Sequence, residues 1–273
     1  MLMPLIARAL VALAPVAGAG RAATDTIPSD SVIAHYYAAI GGHSALLADT
    51  TLSFSGHYQE GDFKVQTTIL WKRPTFRRVS VVLPEGFAYV ELFDGRDEWE
   101  FTESFNRPVQ HDTGASERAG RRGAEFDESF VDYRAKGPRV QARAASVIEG
   151  RAANVLRVTL RDGWVKDYYF DVETGLLVAL RKAMPLHASG ADVVSLTYFR
   201  DYKRIGAVLR PLAQEERNVA TGALMNTLRW DSITPDVSIR PEAFVHPGSR
   251  RETVDGPPSR KSNRARATRG NDT

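Results

Sequence analysis

The sequence contains no cysteine at any of its 273 positions. Disulfide bonds, thiolate catalysis and cysteine-ligated zinc or iron–sulfur sites are therefore excluded. The lipid-modified cysteine that would anchor an exported lipoprotein is excluded for the same reason. Stability has to come from a hydrophobic core, for which 43% hydrophobic and 25% charged residues is an ordinary composition.

Catalytic and metal-binding motifs are also missing. The six histidines form no HExxH or HxH pair, and no G-x-S-x-G, Walker or dinucleotide-binding pattern occurs. Four acidic residues surround one predicted hairpin turn, where a solvated, charged tip is the simplest interpretation: Asp94, Asp97, Glu98 and Glu100. We therefore predict no catalytic residue, no metal, no cofactor and no enzymatic activity.

The excess of positive charge is confined to the C-terminal end. Residues 248–273 carry seven cations and three acids, so residues 1–247 sum to −1 within a chain whose formal charge is +3. Non-specific nucleic-acid binding depends on an extended cationic face, which a nearly neutral body does not supply. We expect no nucleic-acid partner. The tail has almost no apolar residue and is predicted to be disordered.

Long apolar runs are absent except at the N-terminus. Residues 1–16 are apolar apart from Arg8, and Ala17-Gly18-Ala19 fits a signal-peptide cleavage site. Two prolines interrupt the run, which is too short to span a bilayer. We predict a signal peptide over residues 1–23, one lipid-binding domain over 24–247 and a basic tail over 248–273, in an exported, soluble protein without a lipid anchor.

One helix is predicted at the start of the domain. In PSDSVIAHYYAAIGG, Ser29 or Asp30 is suited to the N-cap, apolar residues follow at helical spacing, and Gly41-Gly42 supplies the positive φ that ends a helix. The period then changes to two, as in LSFSGHY and FKVQTTILW. Asp-Gly or Thr-Gly pairs mark tight turns at 94–95, 162–163, 174–175 and 221–222.

The fold class follows from these elements. Strands joined by tight turns, with no βαβ spacing, form an antiparallel meander. The alternation breaks between Gly114 and Gly137, where short helices with an apolar stripe of Phe126, Phe130 and Tyr133 are predicted. A sheet cannot bury both faces unaided. The prediction is a mainly β fold, in which one curved antiparallel sheet is covered by an N-terminal helix and a helical insert.

Five stretches in order resemble a known family. They are IGG with the following strand to Gly56, WKRP at 71–74, DGRDEW at 94–99, and two longer stretches at 147–180 and 198–211. Together they resemble the LolA-like periplasmic lipoprotein carriers, and most closely the outer-membrane lipoprotein-sorting relatives, over residues 31–246. The resemblance implies an incomplete β-barrel closed by a helical lid around an apolar cavity for acyl chains, in a monomeric periplasmic protein.

The resemblance also implies roles for residues. The basic stretch ILWKRPTFRRV at 69–79 contains Arg73, which is similar to an arginine that latches the lid by hydrogen bonds to helix backbone. Aromatic residues cluster in the first half of the domain and its insert, where the alternatives are a filled core and an open cavity. The residues predicted to line the cavity are Phe54, Trp71, Val81, Phe87, Tyr89, Trp99, Phe101, Phe126 and Phe130.

Three functions are consistent with this sequence. The leading hypothesis is a soluble carrier of lipid or lipoprotein acyl chains, with transient membrane-protein partners, that serves outer-membrane biogenesis. The second is a non-catalytic sensor or scaffold of the same fold that binds a protein partner. The third is a hydrolase with a reactive residue inside the cavity. A continuous apolar cavity favours the carrier, whereas a fully packed core favours the scaffold.

Overall fold

Thirteen strands form a single antiparallel sheet in the computed structural model, which describes residues 27–103, 109–185 and 192–248. The first six are β1 (Thr51–Glu60), β2 (Phe63–Lys72), β3 (Phe76–Val82), β4 (Ala88–Asp94), β5 (Glu98–Thr102) and β6 (Gln110–His111). The others are β7 (Arg139–Ile148), β8 (Arg151–Thr159), β9 (Val165–Asp171), β10 (Leu177–Pro185), β11 (Asp192–Ile205), β12 (Val208–Asn218) and β13 (Leu224–Pro235). The predicted signal peptide and nearly all of the predicted tail lie outside the described residues.

The strand order is β6-β5-β4-β3-β2-β1-β13-β12-β11-β10-β9-β8-β7, and the sheet does not close. Consecutive strands pair throughout except for β6 and β7, which are the two edges. The first and last strands pair in the middle, where β1 and β13 are so close that a methyl group at Gly56 would lie 2.0 Å from the Arg229 carbonyl oxygen. The predicted mainly β fold with one curved antiparallel sheet is confirmed.

The four predicted turns are also confirmed. They connect β4 to β5, β8 to β9, β9 to β10 and β12 to β13. The glycine of each pair has a positive φ, at Gly95, Gly163, Gly175 and Gly222. Because a left-handed backbone position is costly for residues with a side chain, these glycines fix where each hairpin reverses.

The predicted first helix, α1 (Ser29–Ile40), is followed by α2 (His43–Ala48). Pro28 occupies the N-cap in place of the predicted Ser29 or Asp30, and Gly41 ends the helix at φ 113°. The apolar side of α1 buries Val32, Ile33 and Ile40 against β7, β8 and β12. We call the face of the sheet that carries α1 the inner face, and the other the outer face.

The insert, residues 112–138, crosses the inner face between the two edge strands. It contains α3 (Ala115–Gly123) and α4 (Tyr133–Lys136). Phe126 and Phe130 lie in the irregular stretch between these helices, so the prediction that they form a helical stripe is wrong. The reason is that backbone donors here bond to the sheet: the Phe126 N–H donates to the Pro74 carbonyl oxygen, and the Ser129 N–H to the Tyr168 hydroxyl.

A second core covers the outer face of β3, β4 and β5. A short 3₁₀ helix (Pro241–Phe244) places Phe244 there. Its buried partners are Val90, Leu92 and Phe101. This end of the sheet therefore has apolar residues on both faces, which explains why aromatic residues are dense in this part of the sequence.

Candidate functional site

The inner face of the central strands carries a group of apolar side chains that we call the apolar band. Its rings meet edge-on or tilted, with centroid distances of 5.9 Å between Phe54 and Trp71 and 5.1 Å between Phe54 and Trp230. Such aromatic pairs add to the stabilisation from burial. The band consists of Leu52, Phe54, Trp230 and Ile233, with Ile69, Trp71, Ile205, Leu212 and Leu228 packed against them.

The insert closes over this band through Phe126. The Phe126 ring packs on Trp71 at 6.4 Å between centroids. The Trp71 indole N–H donates to the Ala124 carbonyl oxygen at 3.1 Å. An indole combines a large apolar surface with one donor that needs a partner when buried. Trp71 therefore contributes to the floor of the site and also holds the insert in place.

Arg73, just beyond the end of β2, joins three parts of the chain. Its Nε donates to the Asp49 carbonyl oxygen and its Nη2 to the Leu46 carbonyl oxygen, both at 2.8 Å, at the C-terminal end of α2. Its Nη1 forms an ion pair with Asp127 of the insert. The guanidinium also lies 4.4 Å from the centroid of Phe126. These carbonyl groups have no partner within α2, which is why a cation is favourable there.

Asp49 has a second cationic partner that the sequence did not indicate. Its carboxylate accepts a hydrogen bond from Arg210 Nη2 at 2.5 Å, although the two residues are 161 positions apart. Asp127 was missed in the same way, because its partner Arg73 is 54 positions away. Neither acid stands in a motif, so only the folded chain identifies them.

The nine residues predicted to line one cavity do not all lie together in the structure. Phe54, Trp71 and Phe126 meet at the apolar band, and Val81 and Tyr89 face each other on the inner face of β3 and β4. Phe130 is fully buried in the separate core beneath α1, and Phe87 lies in the turn between β3 and β4. Trp99 and Phe101 alternate with Glu98 and Glu100 and belong to the outer core, so the structure separates both from the predicted cavity.

Helix α3 rests on a buried ion pair. Glu98 Oε1 lies 3.4 Å from Arg77 Nη2, and a methyl group at Gly120 would lie 2.2 Å from Glu98 Oε2. Glu98 is only 4% exposed, so the interpretation of all four hairpin acids as solvated is wrong for this residue. Burial, which outweighs the attraction of Arg77, raises the pKa of Glu98 to about 7. The protonation state of this carboxyl therefore changes near neutral pH.

A second buried polar contact joins the insert to β9. Lys166 Nζ donates to Ser129 Oγ at 2.8 Å, and Ser129 Oγ donates to Glu125 at 2.7 Å. Burial lowers the pKa of Lys166. A serine–lysine pair can serve nucleophilic catalysis when the lysine accepts the serine proton. Here Ser129 Oγ donates to Glu125 and not to the lysine, and Ser129 is 2% exposed, so the contact fastens the insert to β9.

A surface cleft of about 510 Å³ lies between α1, the start of α2 and the end of the insert. Its floor is apolar, while ion pairs of Asp30 with Arg134 and of His43 with Asp132 stand beside it. The cleft shares no lining residue with the apolar band and is separate from it. It is lined by Asp30, Ile33, Ala34, Tyr37, His43, Phe130, Asp132, Tyr133, Arg134 and Ala135.

Within the part of the chain that the structure describes, no group of three or more histidine and acidic residues is placed to hold a metal ion. No helix there combines the length and the apolar content needed to cross a bilayer.

Comparison with known proteins identifies the fold. No protein-family model and no curated protein matches the sequence. A LolA superfamily protein from Nitrosomonas europaea matches in structure with a TM-score of 0.54 and 13% identity, over 81% of this chain and 98% of the other. An outer membrane lipoprotein-sorting protein domain from Vibrio parahaemolyticus matches with a TM-score of 0.55 and 11% identity, over 80% and 96%.

A third solved structure agrees with these two. A DUF1329 family protein from Desulfovibrio piger matches with a TM-score of 0.55 and 11% identity, over 80% of this chain and 98% of that one. Identities this low carry information about the fold alone. The resemblance noted in the sequence and the structural matches agree, and the chain has a LolA-like fold.

Proposed function

We propose that this protein is a non-catalytic carrier that binds lipid or lipoprotein acyl chains on the apolar band beneath the insert. It moves them through the periplasm to the outer membrane, together with transient membrane-protein partners. The carrier acts as a monomer. The proposed binding residues are Phe54, Trp71 and Phe126, with Arg73 as the latch of the insert.

The observation that supports this proposal most directly is the way the insert is attached. A single aromatic side chain of the insert, Phe126, lies on the apolar band, while its neighbours are fastened by Arg73 and Trp71. Removing Phe126 from the band would expose apolar surface that an acyl chain could cover instead. Burying an acyl chain gains about 0.8 kcal/mol per CH₂ group, so a chain of roughly sixteen carbons gains on the order of 12 kcal/mol before entropic costs.

Mass spectrometry of the native protein, purified from the exported fraction without detergent, tests the proposal. We expect lipid to be bound at near one-to-one stoichiometry, and organic extraction should identify its class. An unliganded mass that does not change after incubation with phospholipid or with a triacylated peptide would contradict the carrier function.

A matched pair of variants locates the bound lipid. Phe126→Ala opens the band, so we expect the fraction of lipid-bound protein to rise, because no ring has to be displaced. Phe63→Ala removes an equal ring that is 44% exposed at the tip of the β1–β2 hairpin, and lipid binding should not change. Equal behaviour of both variants and the parent would place the lipid elsewhere.

The scaffold remains the second candidate because of one observation. Leu52, Phe54, Trp230 and Ile233 are each less than 10% exposed, so the centre of the band is already filled by protein side chains. A filled band needs no ligand and is what a scaffold would have. The lipid analysis separates the two, because only the carrier displaces Phe126 to accept cargo.

A further inference from the structure

Polar side chains form a continuous row on the inner face beside the apolar band. We call the row the polar belt. It crosses five adjacent strands, β9 to β13, and it is held by hydrogen bonds from Ser195 and Asn226 to the Glu216 carboxylate at 2.5 and 3.0 Å. The belt consists of Lys166, Lys182, Ser195, Glu216 and Asn226.

The polar belt and the apolar band share strands. On β13, Asn226 precedes Leu228 of the band by two positions, which is roughly 7 Å along a strand. On β12, Glu216 follows Leu212 by four positions, or roughly 13 Å. The floor of the site therefore changes from apolar to polar within the length of one small molecule.

The hydrogen-bonding capacity of the belt is unequally used. Both oxygens of Glu216 already accept bonds from neutral donors. Lys182 Nζ forms an ion pair with Glu216 at 3.8 Å, which is longer than a hydrogen bond, so its donors have no hydrogen-bond acceptor among the residues that the structure describes. Its side chain is 23% exposed. A lysine ammonium has three donors, so Lys182 presents unused donors at the belt.

The two lysines also stand side by side. Lys182 pairs in register with Lys166 on the neighbouring strand, so both lie on the inner face, where Lys166 contacts Ser129 of the insert. Like charges directly opposite each other in a sheet are destabilising. Lys166 has Glu125 at 3.6 Å, but that carboxylate accepts its hydrogen bond from Ser129. An anion seated beside Lys182 would reduce the repulsion and use its donors.

We infer that the cargo is an amphiphile with an anionic head, a carboxylate or a phosphate, which binds Lys182 at the polar belt while its chain lies on the apolar band. This inference rests on the proposed carrier function and names its ligand class. An uncharged lipid would leave the Lys182 ammonium with Glu216 as its ion-pair partner and with no hydrogen-bond acceptor among the described residues. Lys182 therefore makes the protein prefer a ligand with an anionic head, while the apolar band makes it prefer a ligand with an apolar chain.

Binding of a fluorescent fatty acid and of its methyl ester tests this inference on the full protein. The two probes share one chain and differ in head charge. We expect the acid to bind about tenfold more tightly, the size expected for a charge-assisted hydrogen bond. Lys182→Gln should remove this difference by weakening the acid alone, and Lys182→Arg should preserve it. Lys64→Gln, at an exposed position on the outer face of β2, should leave both affinities unchanged.

The outcomes separate the inference from the carrier function. Equal affinities of the parent for acid and ester, or an unchanged ratio in Lys182→Gln with an unchanged melting temperature, would overturn the inference and leave the carrier intact. Failure of both probes to bind would overturn both. We expect millimolar inorganic phosphate not to displace the fatty acid. Displacement would show that the polar belt binds a free anion and not the head of an amphiphile.

Discussion

We expect the attachment of the insert to depend strongly on Arg73. Replacing it with leucine leaves the Leu46 and Asp49 carbonyl groups and the Asp127 carboxylate without their donor. Because Asp127 is largely buried, we expect a loss of roughly 3–5 kcal/mol in the free energy of unfolding. Hydrogen exchange should also accelerate in α2 and the insert. Urea unfolding and mass-detected exchange measure the two effects.

Arg96→Leu is the control for this substitution. Arg96 is 88% exposed, and its only ion pair is with the neighbouring Asp97 among the residues that the structure describes. A surface substitution of this kind should change stability by less than about 0.5 kcal/mol. Normal exchange in the insert of Arg73→Leu would show that Arg73 is not its latch.

Glu98 makes stability depend on pH near neutrality. Its pKa is raised from 4.5 to about 7 in the folded protein, so the folded state binds this proton more tightly than the unfolded state does. The stabilisation is complete below pH 4.5 and is lost as the pH rises through 7. We expect Glu98→Gln to be more stable than the parent at pH 8, by roughly 2–3 kcal/mol, and the two to converge at low pH. Denaturant titrations at pH 5 and pH 8 measure this, and a constant difference between the two proteins would contradict it.

The sequence identified part of the site at the residue level and missed part of it for one physical reason. Aromatic residues on alternating strands identified Phe54 and Trp71, because a period of two assigns residues to a face. The period of two could not show which face of a strand is the inner one when both faces carry apolar residues. Trp99 and Phe101 of β5 were therefore assigned to the cavity, although they belong to the outer core. Acids that act across the fold, such as Asp127, leave no local pattern.

At the level of elements, α3 is attached by close approach and not by apolar burial. Gly120 is its only buried residue, and it lies against the Glu98 side chain. A methyl group there meets three atoms of a side chain that has little room to move. We expect Gly120→Ala to lower the free energy of unfolding by about 1–3 kcal/mol, because overpacking a tight contact forces the helix away from the sheet.

Gly123→Ala, one turn later in the same helix, is the matched control. A methyl group at this position meets the end of the flexible Arg77 side chain at 2.8 Å. Alanine also favours helix over glycine by about 1 kcal/mol. This variant should therefore be near neutral, and a loss equal to that of Gly120→Ala would refute the close-contact explanation.

The insert also shows how far pattern can predict an element. Its position between two glycines and its helical content were predicted correctly, whereas its irregular centre was not. Residues 124–132 direct backbone donors to Pro74 and to the Tyr168 hydroxyl. These long-range hydrogen bonds outweigh the helical spacing of Phe126 and Phe130. They cannot be predicted from the local sequence.

For the whole molecule, the open sheet leaves two edges that have to avoid pairing with another chain. The longer one, β7, contains the exposed cations Arg139 and Arg143 and an irregularity between Arg143 and Ser146. Charge and bulges are known protections of edge strands. We expect replacement of both arginines by valine to cause self-association, measured by sedimentation velocity. The double variant Arg96→Val and Arg204→Val loses the same charge elsewhere and should sediment like the parent.

The overall fold was more predictable than the site. The four predicted hairpin turns establish the pairings of β4 with β5, β8 with β9, β9 with β10 and β12 with β13. The pairing of β1 with β13 leaves no local signal, because the partners are separated by nearly the whole domain and are joined at Gly56 by a close backbone approach.

The pairing of β1 with β13 also determines the order in which parts of the sheet can form. Consecutive strands pair with each other within β1 to β6 and within β7 to β13, and such local pairings form early because they close short loops. The two halves of the sheet meet only through β1 and β13. The apolar band extends across this junction, from Trp71 on β2 to Leu212 on β12. A chain that emerges from a ribosome thus has no complete apolar band until β13 has emerged.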